Sequence, residues 1–241
     1  MARTIPEKTT NISRRTVLAG AGAAGLTPLL EPSIALAAAP SLVVYLHLDM
    51  KQRALQEMLS SALDGIEVTA VARYGDLQRQ IASGASALLA LGPVLASLGA
   101  RPTVTGLAGG RDTEPYALLG GMRVSTGQVQ RVGAVDLLGR KGTSTFVHEV
   151  LQTNVEVERV TKLEDMLRLL QFEMADAILL PQRIVPLMRK KSELTLESSR
   201  APNEVSLPAL AVLTPAGNTI ADRLKKIPTS VKSELGVESW R

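Results

Sequence analysis

Two stretches of the chain alternate apolar and polar positions in the same way. Ile66-Glu67-Val68-Thr69-Ala70-Val71 and Val155-Glu156-Val157-Glu158-Arg159-Val160 stand 89 residues apart. Period-two alternation of this kind predicts half-buried strands. The same offset carries Asp76, Leu77, Arg79 and Ile81 onto Asp165, Met166, Arg168 and Leu170, so an amphipathic helix opening near an Asp follows each strand. It then carries Leu88-Leu89-Ala90-Leu91-Gly92-Pro93 onto Ala177-Ile178-Leu179-Leu180-Pro181-Gln182. A short, wholly apolar run ended by Pro predicts a parallel strand buried on both faces.

A further strand and helix precede each copy. Leu42 to Leu48 leads into Lys51 to Leu63, where Leu55, Met58, Leu59, Ala62 and Leu63 share a helical face. Val129 to Leu138 leads into Thr143 to Leu151, with Phe146, Val147, Val150 and Leu151 in the matching places. Beyond each copy come two more extended segments, Thr103 to Ala108 with Tyr116 to Leu119, and Leu194 to Glu197 with Leu210 to Leu213. The expected fold is α/β, two similar β-α-β-α-β lobes with right-handed crossovers and a cleft between them. The expected boundaries are lobe 1 at 38–120, lobe 2 at 121–204 and a return segment at 205–241 whose apolar positions Ile220, Leu224, Ile227, Val231 and Leu235 pack as helix on lobe 1. Gly120-Gly121 and Asn203 to Leu207 are the expected crossings. The alternative to a repeat is a single doubly wound domain.

The first 37 residues have a different pattern. Ser13-Arg14-Arg15-Thr16-Val17-Leu18 precedes a charge-free run, Ala19 to Leu30, and the small-residue stretch Ala35-Leu36-Ala37-Ala38-Ala39. This resembles a twin-arginine export signal, with Arg14 and Arg15 as the pair and cleavage near Ala37. Pro28, Glu31 and Pro32 make the run too short and too polar for a stable membrane span. The resemblance implies passage through the twin-arginine translocase and a periplasmic or secreted product. The leader holds four of the chain's 27 basic and two of its 23 acidic residues, which leaves 23 against 21. So balanced a charge gives no electrostatic footprint for nucleic acid. With no Cys, disulfides and thiolate metal sites are excluded. The few aromatics argue against stacking on sugar or base rings.

Two α/β lobes behind an export signal are similar to the type II periplasmic solute-binding proteins. Within that group the chain resembles the phosphate/phosphonate-type receptors of ABC importers. Gly84-Ala85-Ser86-Ala87, the run Leu88 to Leu91 and Gly92-Pro93 keep the Gly-Pro of the family pattern, with Ala87 in place of its Asp. In the second lobe Asp176 is kept and Glu173 replaces the Gly, and Gly110 to Tyr116 is similar to the family's loop before a crossing strand. The resemblance implies a monomer that delivers a small, anionic ligand to ABC transporter membrane subunits, without a cofactor.

In open α/β sheets ligands sit beyond the carboxyl ends of the strands. That nominates Asp49, Lys51, Gly92 and Pro93 from lobe 1, with Met50 and Val94 beside them, and Gln182 beside Pro181 from lobe 2. It also nominates Arg140, Lys141, Gly142, Thr143, Ser144 and Thr145, a turn whose glycine, cations and hydroxyls suit an oxyanion at a helix start. The same turn also reads as an ordinary capped helix with Thr143 as N-cap. Other chemistry is less supported. His47 and His148 are the only histidines, too few for a zinc site, and there is no Gly-x-Ser-x-Gly elbow. Met166, Phe172 and Met174 read as core filling. The alternatives to an importer's receptor are a same-fold module serving a sensor or partner protein, and a secreted α/β enzyme using Asp49 or Asp136.

Overall fold

A computed structural model describes residues 39–121, 124–125 and 127–241. The expected leader, Arg14 and Arg15 included, lies outside the described residues. The chain runs β1 (Ser41–Tyr45), α1 (Gln52–Ala62), β2 (Glu67–Ala70), α2 (Tyr74–Ala82), β3 (Ala87–Leu91), α3 (Gly92–Ser97) and β4 (Val104–Leu107). It continues as β5 (Thr113–Gly120), β6 (Arg131–Val135), α4 (Gly139–Leu151), β7 (Glu156–Val160), a 3-10 turn (Leu163–Asp165), α5 (Met166–Gln171) and β8 (Ala177–Pro181). A second 3-10 turn (Gln182–Ile184), α6 (Val185–Lys191), β9 (Glu197–Ser206), β10 (Pro208–Val212), α7 (Gly217–Leu224), α8 (Thr229–Glu234) and β11 (Ser239–Trp240) complete it.

The strands form two sheets, ordered β11-β4-β10-β3-β1-β2 and β7-β6-β8-β5-β9. In lobe 1, β1 lies between β2 and β3 and is parallel to both. In lobe 2, β6 lies in the same way between β7 and β8. The repeat read from the sequence is therefore a repeat of topology. The wholly apolar β3 is buried at every position, as a central strand covered on both faces requires. On α1, Leu55 and Leu59 lie inside, with Leu63 just past the helix end, one turn apart on the same face.

Each sheet is completed by a strand from the other half of the chain. β5 pairs antiparallel with β8 and β9, and β10 pairs antiparallel with β3 and β4. The first crossing is thus at residues 108–112, where Gly109 and Gly110 both have positive φ and Ala108 bridges Arg111. This corrects the expectation at Gly120-Gly121: Gly120 ends β5 inside the lobe 2 sheet, where a Cβ would stand 2.6 Å from the carbonyl oxygen of Asp176. The glycine permits close strand packing there and does not mark a hinge. The chain returns at Leu207, between β9 and β10, so lobe 1 holds residues 39–107 and 208–241 and lobe 2 holds 113–206.

One buried apolar cluster runs from lobe 1 (Leu42, Leu89, Leu210) into the inner side of lobe 2 (Tyr116, Val132, Phe146, Val147). A second (Ala117, Leu119, Met166, Ile178, Leu180, Met188) lies under α5 and α6. Tyr116 and Leu118 join the first cluster and Ala117 and Leu119 the second, because successive strand residues face opposite ways. Met166 is fully buried, but Phe172 and Met174, expected as core, are 71% and 47% exposed just past the end of α5. The C-terminal apolar residues Ile220, Leu224, Ile227, Val231 and Leu235 are buried with the lobe 1 cluster.

Gly217, the first residue of α7, tests the close packing of the C-terminal helices on lobe 1. A Cβ there would stand 2.3 Å from the backbone oxygen of Ser86, whereas Gly75 in α2 has open space around it. Gly217→Ala is expected to lower unfolding free energy in urea by about 1–3 kcal/mol through overpacking. Gly75→Ala is expected to raise it by about 0.5–1 kcal/mol through helix propensity.

Candidate functional site

The parallel strands of both lobes end on one cleft. After β1 come Leu46, His47 and Leu48, and β3 contributes Leu91; opposite them stand Val135 at the end of β6 and Leu137 after it, Leu180 and Pro181 of β8, and Glu114 and Tyr116 of β5. The inner chamber encloses about 40 Å³ and is mostly apolar, with Phe146, Leu163 and Leu179 among its walls. An outer chamber of about 260 Å³ shares His47, Leu48 and Leu163 with it and adds Met50, Lys51, Gln52 and Ala72 from lobe 1 and Thr161, Lys162 and Glu164 from lobe 2.

Side chains of each lobe reach the other. The Tyr45 hydroxyl donates to the carbonyl oxygen of Asp136 at 2.8 Å. Lys191 at the end of α6 donates to Asp49 Oδ1 at 2.6 Å. Arg183 lies against Gly236, between α8 and β11, where a Cβ would meet its guanidinium at 2.7 Å. Arg183 Nε also donates to Glu114 Oε2 at 2.8 Å. Glu114 is buried, and burial raises its pKa even though the Arg183 charge pulls the other way. Burial likewise pushes the Tyr116 phenol up, and the Glu114 charge adds to it.

His47 sits where the two chambers meet. Its ring stands edge-on to Tyr45 with centroids 4.9 Å apart, its Nε2 lies 3.3 Å from the Ala72 carbonyl oxygen, and its Nδ1 is buried without a partner. Burial lowers its pKa to about 4, against the smaller opposing pull of the Ala72 carbonyl and the Asp136 charge. The ring is therefore neutral at pH 7.

The nominated oxyanion turn is not a turn. Gly139, with φ of +71°, opens α4, so Arg140 to Thr145 are its first two turns. Thr143 is fully buried; its hydroxyl donates to Asp136 Oδ1 at 2.8 Å and accepts from the Leu138 amide at 3.0 Å. It is not the N-cap, a position held by Leu138. Ser144 and Thr145 donate back to the carbonyls of Arg140 and Lys141. All three hydroxyls are thus used within the fold, and a carboxylate already occupies the side of Thr143 that was to face an anion. Gly142 packs against Leu138, where a Cβ would meet the leucine's Cβ at 2.6 Å, and Arg140 and Lys141 are exposed.

Of the other nominated residues, Lys51 lines the outer chamber and Asp49 is tied to Lys191 beside it. Gly92 opens α3 with Ser206 against it, and Pro93 faces a separate groove with Phe146, Asn203 and Glu204. Gln182 is exposed at the second 3-10 turn and lines neither chamber. Asp136, a candidate acid or base, is committed on both oxygens, to Thr143 and, at 2.8 Å, to Arg159. Among the described residues no group of three or more His, Asp or Glu could hold a metal ion. His47, Glu114, Lys162 and Arg183 were not nominated. Glu114 lies on β5, whose place in lobe 2 the sequence does not reveal, whereas Lys162 follows the second-repeat strand and is open to the same argument as Lys51.

Two outcomes follow from these contacts. Thr143→Val is expected to cost roughly 2 kcal/mol in urea unfolding, since a buried hydroxyl bonded to a carboxylate is lost, and to leave any anion affinity unchanged. His47 binds a proton more readily unfolded than folded. Its contribution is therefore complete above pH 6.5 and is lost as the pH falls toward about 4, by up to about 3 kcal/mol. The unfolding free energy of His47→Asn should accordingly fall less steeply between pH 6.5 and 4 than that of the unsubstituted chain, and parallel profiles would refute this assignment.

No protein-family model and no curated protein sequence matches the chain. Solved structures do. The VFT2 domain of Bordetella pertussis BvgS superposes with a TM-score of 0.56 at 12% identity, covering 82% of this chain and 91% of its own. XAC2383 of Xanthomonas citri, bound to ATP, gives 0.58 at 11% identity, with 83% and 90% covered. The substrate-binding protein AbpA of a Streptococcus pneumoniae amino acid ABC transporter, bound to L-arginine, gives 0.51 at 14% identity, with 81% and 91% covered. Two mixed α/β sheets clothed in helices, joined by exchanged strands around a cleft, give this chain the two-lobed fold of the type II periplasmic binding proteins.

Proposed function

We propose that the chain is a non-catalytic ligand-capture protein that closes its two lobes on a small molecule in the cleft. The observation that carries the reading is the cleft itself: both lobes present their strand ends to it, its inner chamber is apolar, and side chains of one lobe reach the other around it. Strand ends facing each other across a hinge let a ligand touch both walls at once, so its binding favours the closed arrangement. Asp49 and Asp136, the groups an enzyme reading would use, are each held by a cation. Export behind Arg14 and Arg15, life in the periplasm or outside the cell as a monomer, and delivery to an ABC importer are parts of this proposal. The leader's sequence supports export, and the Streptococcus pneumoniae protein of the same fold supports delivery to an importer. A phosphate or phosphonate held by Thr143, Ser144 and Thr145 has no support in the geometry of α4. A second reading, a receptor module that docks on a partner protein, is favoured by the exposure of Phe172, Met174 and Leu194 on lobe 2.

A thermal-shift screen of the full chain against carboxylic acids, amino acids, sugars, nucleotides and phosphate tests the proposal. A true ligand at a hundredfold over its Kd should stabilise the fold by about 2.7 kcal/mol. Its affinity should fall at least tenfold in Leu137→Asp, which puts a charge in the apolar chamber. Binding that is indifferent to this change, in a folded variant, places the ligand elsewhere and contradicts the reading.

A further inference from the structure

We infer, resting on the capture reading, that the captured molecule is an uncharged primary carboxamide whose –CO–NH2 group enters the inner chamber of the same cleft. Among the described residues four buried side-chain polar atoms have no hydrogen-bond partner, and three of them, Glu114 Oε1, His47 Nδ1 and Gln52 Oε1, belong to side chains that line the cleft. All three are acceptors. Glu114 is 7% exposed and takes Arg183 on its other oxygen, which leaves Oε1 to accept from something else. His47 Nε2 faces the Ala72 carbonyl and so carries the proton of the neutral ring, which leaves Nδ1 a bare lone pair. Gln52 donates its Nε2 to the Leu46 carbonyl and keeps its own oxygen unpaired. A buried acceptor without a donor is costly. A molecule that displaces solvent from this cleft must therefore bring N–H or O–H groups to it.

Size, charge and donor count narrow the group. The inner chamber encloses about 40 Å³. A water-sized group needs roughly 10–15 Å³ of such space, so the carbon, oxygen and nitrogen of a carboxamide about fill it. Glu114 and Arg183 are the charged residues on that lining and neutralise each other, and His47 is neutral at pH 7. An ammonium or a carboxylate would bring an uncompensated charge into a mostly apolar space. A hydroxyl has one proton for two acceptors. The amide –NH2 has one N–H for Glu114 Oε1 and another for His47 Nδ1, and these acceptors stand on opposite lobes. Its carbonyl oxygen accepts in turn from Arg183, whose hydrogen bonding among the described residues is limited to the Nε bond with Glu114. The body of the molecule extends into the outer chamber of about 260 Å³, beside Leu48, Met50 and Gln52.

Titration calorimetry on the full chain at pH 7 with benzamide and butyramide tests this. Each is compared with its N,N-dimethyl amide, which keeps the carbonyl and lacks the donors, and with the corresponding acid, alcohol and amine. Benzamide or butyramide should bind at least tenfold tighter than any of its analogues. Glu114→Gln, which keeps an oxygen for Arg183 and offers an N–H in place of Oε1, should weaken amide binding at least tenfold. His47→Phe, which keeps a ring and removes the acceptor, should weaken it at least threefold. Unliganded melting temperatures establish that each variant is folded, and the dimethyl comparison needs no variant. A dimethyl amide that binds as well as its parent, or amide binding untouched by both substitutions, overturns the inference. If an acid or an amine binds in the cleft and the amides do not, the ligand class falls while the capture reading stands. If no amide binds and the thermal-shift screen yields no ligand that Leu137→Asp weakens, both fall.

Discussion

Strand exchange is the constraint on which the rest of the molecule depends. β10, which joins the first sheet, follows the whole of the second in the chain, and β5, which joins the second sheet, precedes that lobe's own parallel strands in the chain. Neither sheet is complete without a strand from the far side of a crossing, so the lobes cannot separate beyond what residues 108–112 and Leu207 allow. Because both exchanged strands run antiparallel to the central parallel ones, the carboxyl ends of β1, β3, β6 and β8 are turned toward a common space. The cleft follows from this topology, and the particular side chains decide what it accepts.

Asp136 shows how tightly one wall of the cleft is organised. It follows β6, takes Thr143 on one carboxylate oxygen and Arg159 on the other, and offers its backbone carbonyl to Tyr45 of the opposite lobe. The two side-chain bonds hold the start of α4 against β7, and the third ties lobe 2 to the strand that leads into His47. A carboxylate this well satisfied serves position and not chemistry. The charged groups that face the mouth are Lys51, Lys162 and Glu164, and deeper in the cleft Glu114 Oε1 is buried without a hydrogen-bond partner.

Much of the fold was legible in the sequence. The alternation at 66–71 and 155–160, and the apolar runs at 88–91 and 177–180, encode parallel strands by burial alone, and burial is what composition reports. The first crossing was not legible there, because Gly120-Gly121 and Gly109-Gly110 look alike as text. Gly120 is glycine to let Asp176 approach and Gly109-Gly110 to turn the chain, and only the partner strand distinguishes them. The oxyanion turn failed for a related reason. Gly, Thr and Ser are as compatible with a helix start as with a loop, and Thr143 was already spoken for by Asp136, seven residues earlier in the chain. Phe172 and Met174 read as core from their residue types, yet α5 ends at Gln171 and leaves them outside. Lys51 is reachable by rule, as a residue beyond the carboxyl end of the first strand, whereas Glu114 requires the knowledge that β5 belongs to lobe 2.

The central claim is that a ligand holds the two lobes together. The chain has no Cys, so spin labels introduced by Ser60→Cys on α1 and Gln171→Cys on α5, both exposed positions, report on the two lobes without background. The interlobe distance distribution, measured by pulsed electron resonance with and without a ligand that raises the melting temperature in the thermal-shift screen, is the direct test. Capture predicts a broad distribution that collapses to one short distance when the ligand is present. A distribution that is the same in both samples, under conditions where calorimetry shows the ligand bound, would contradict the account.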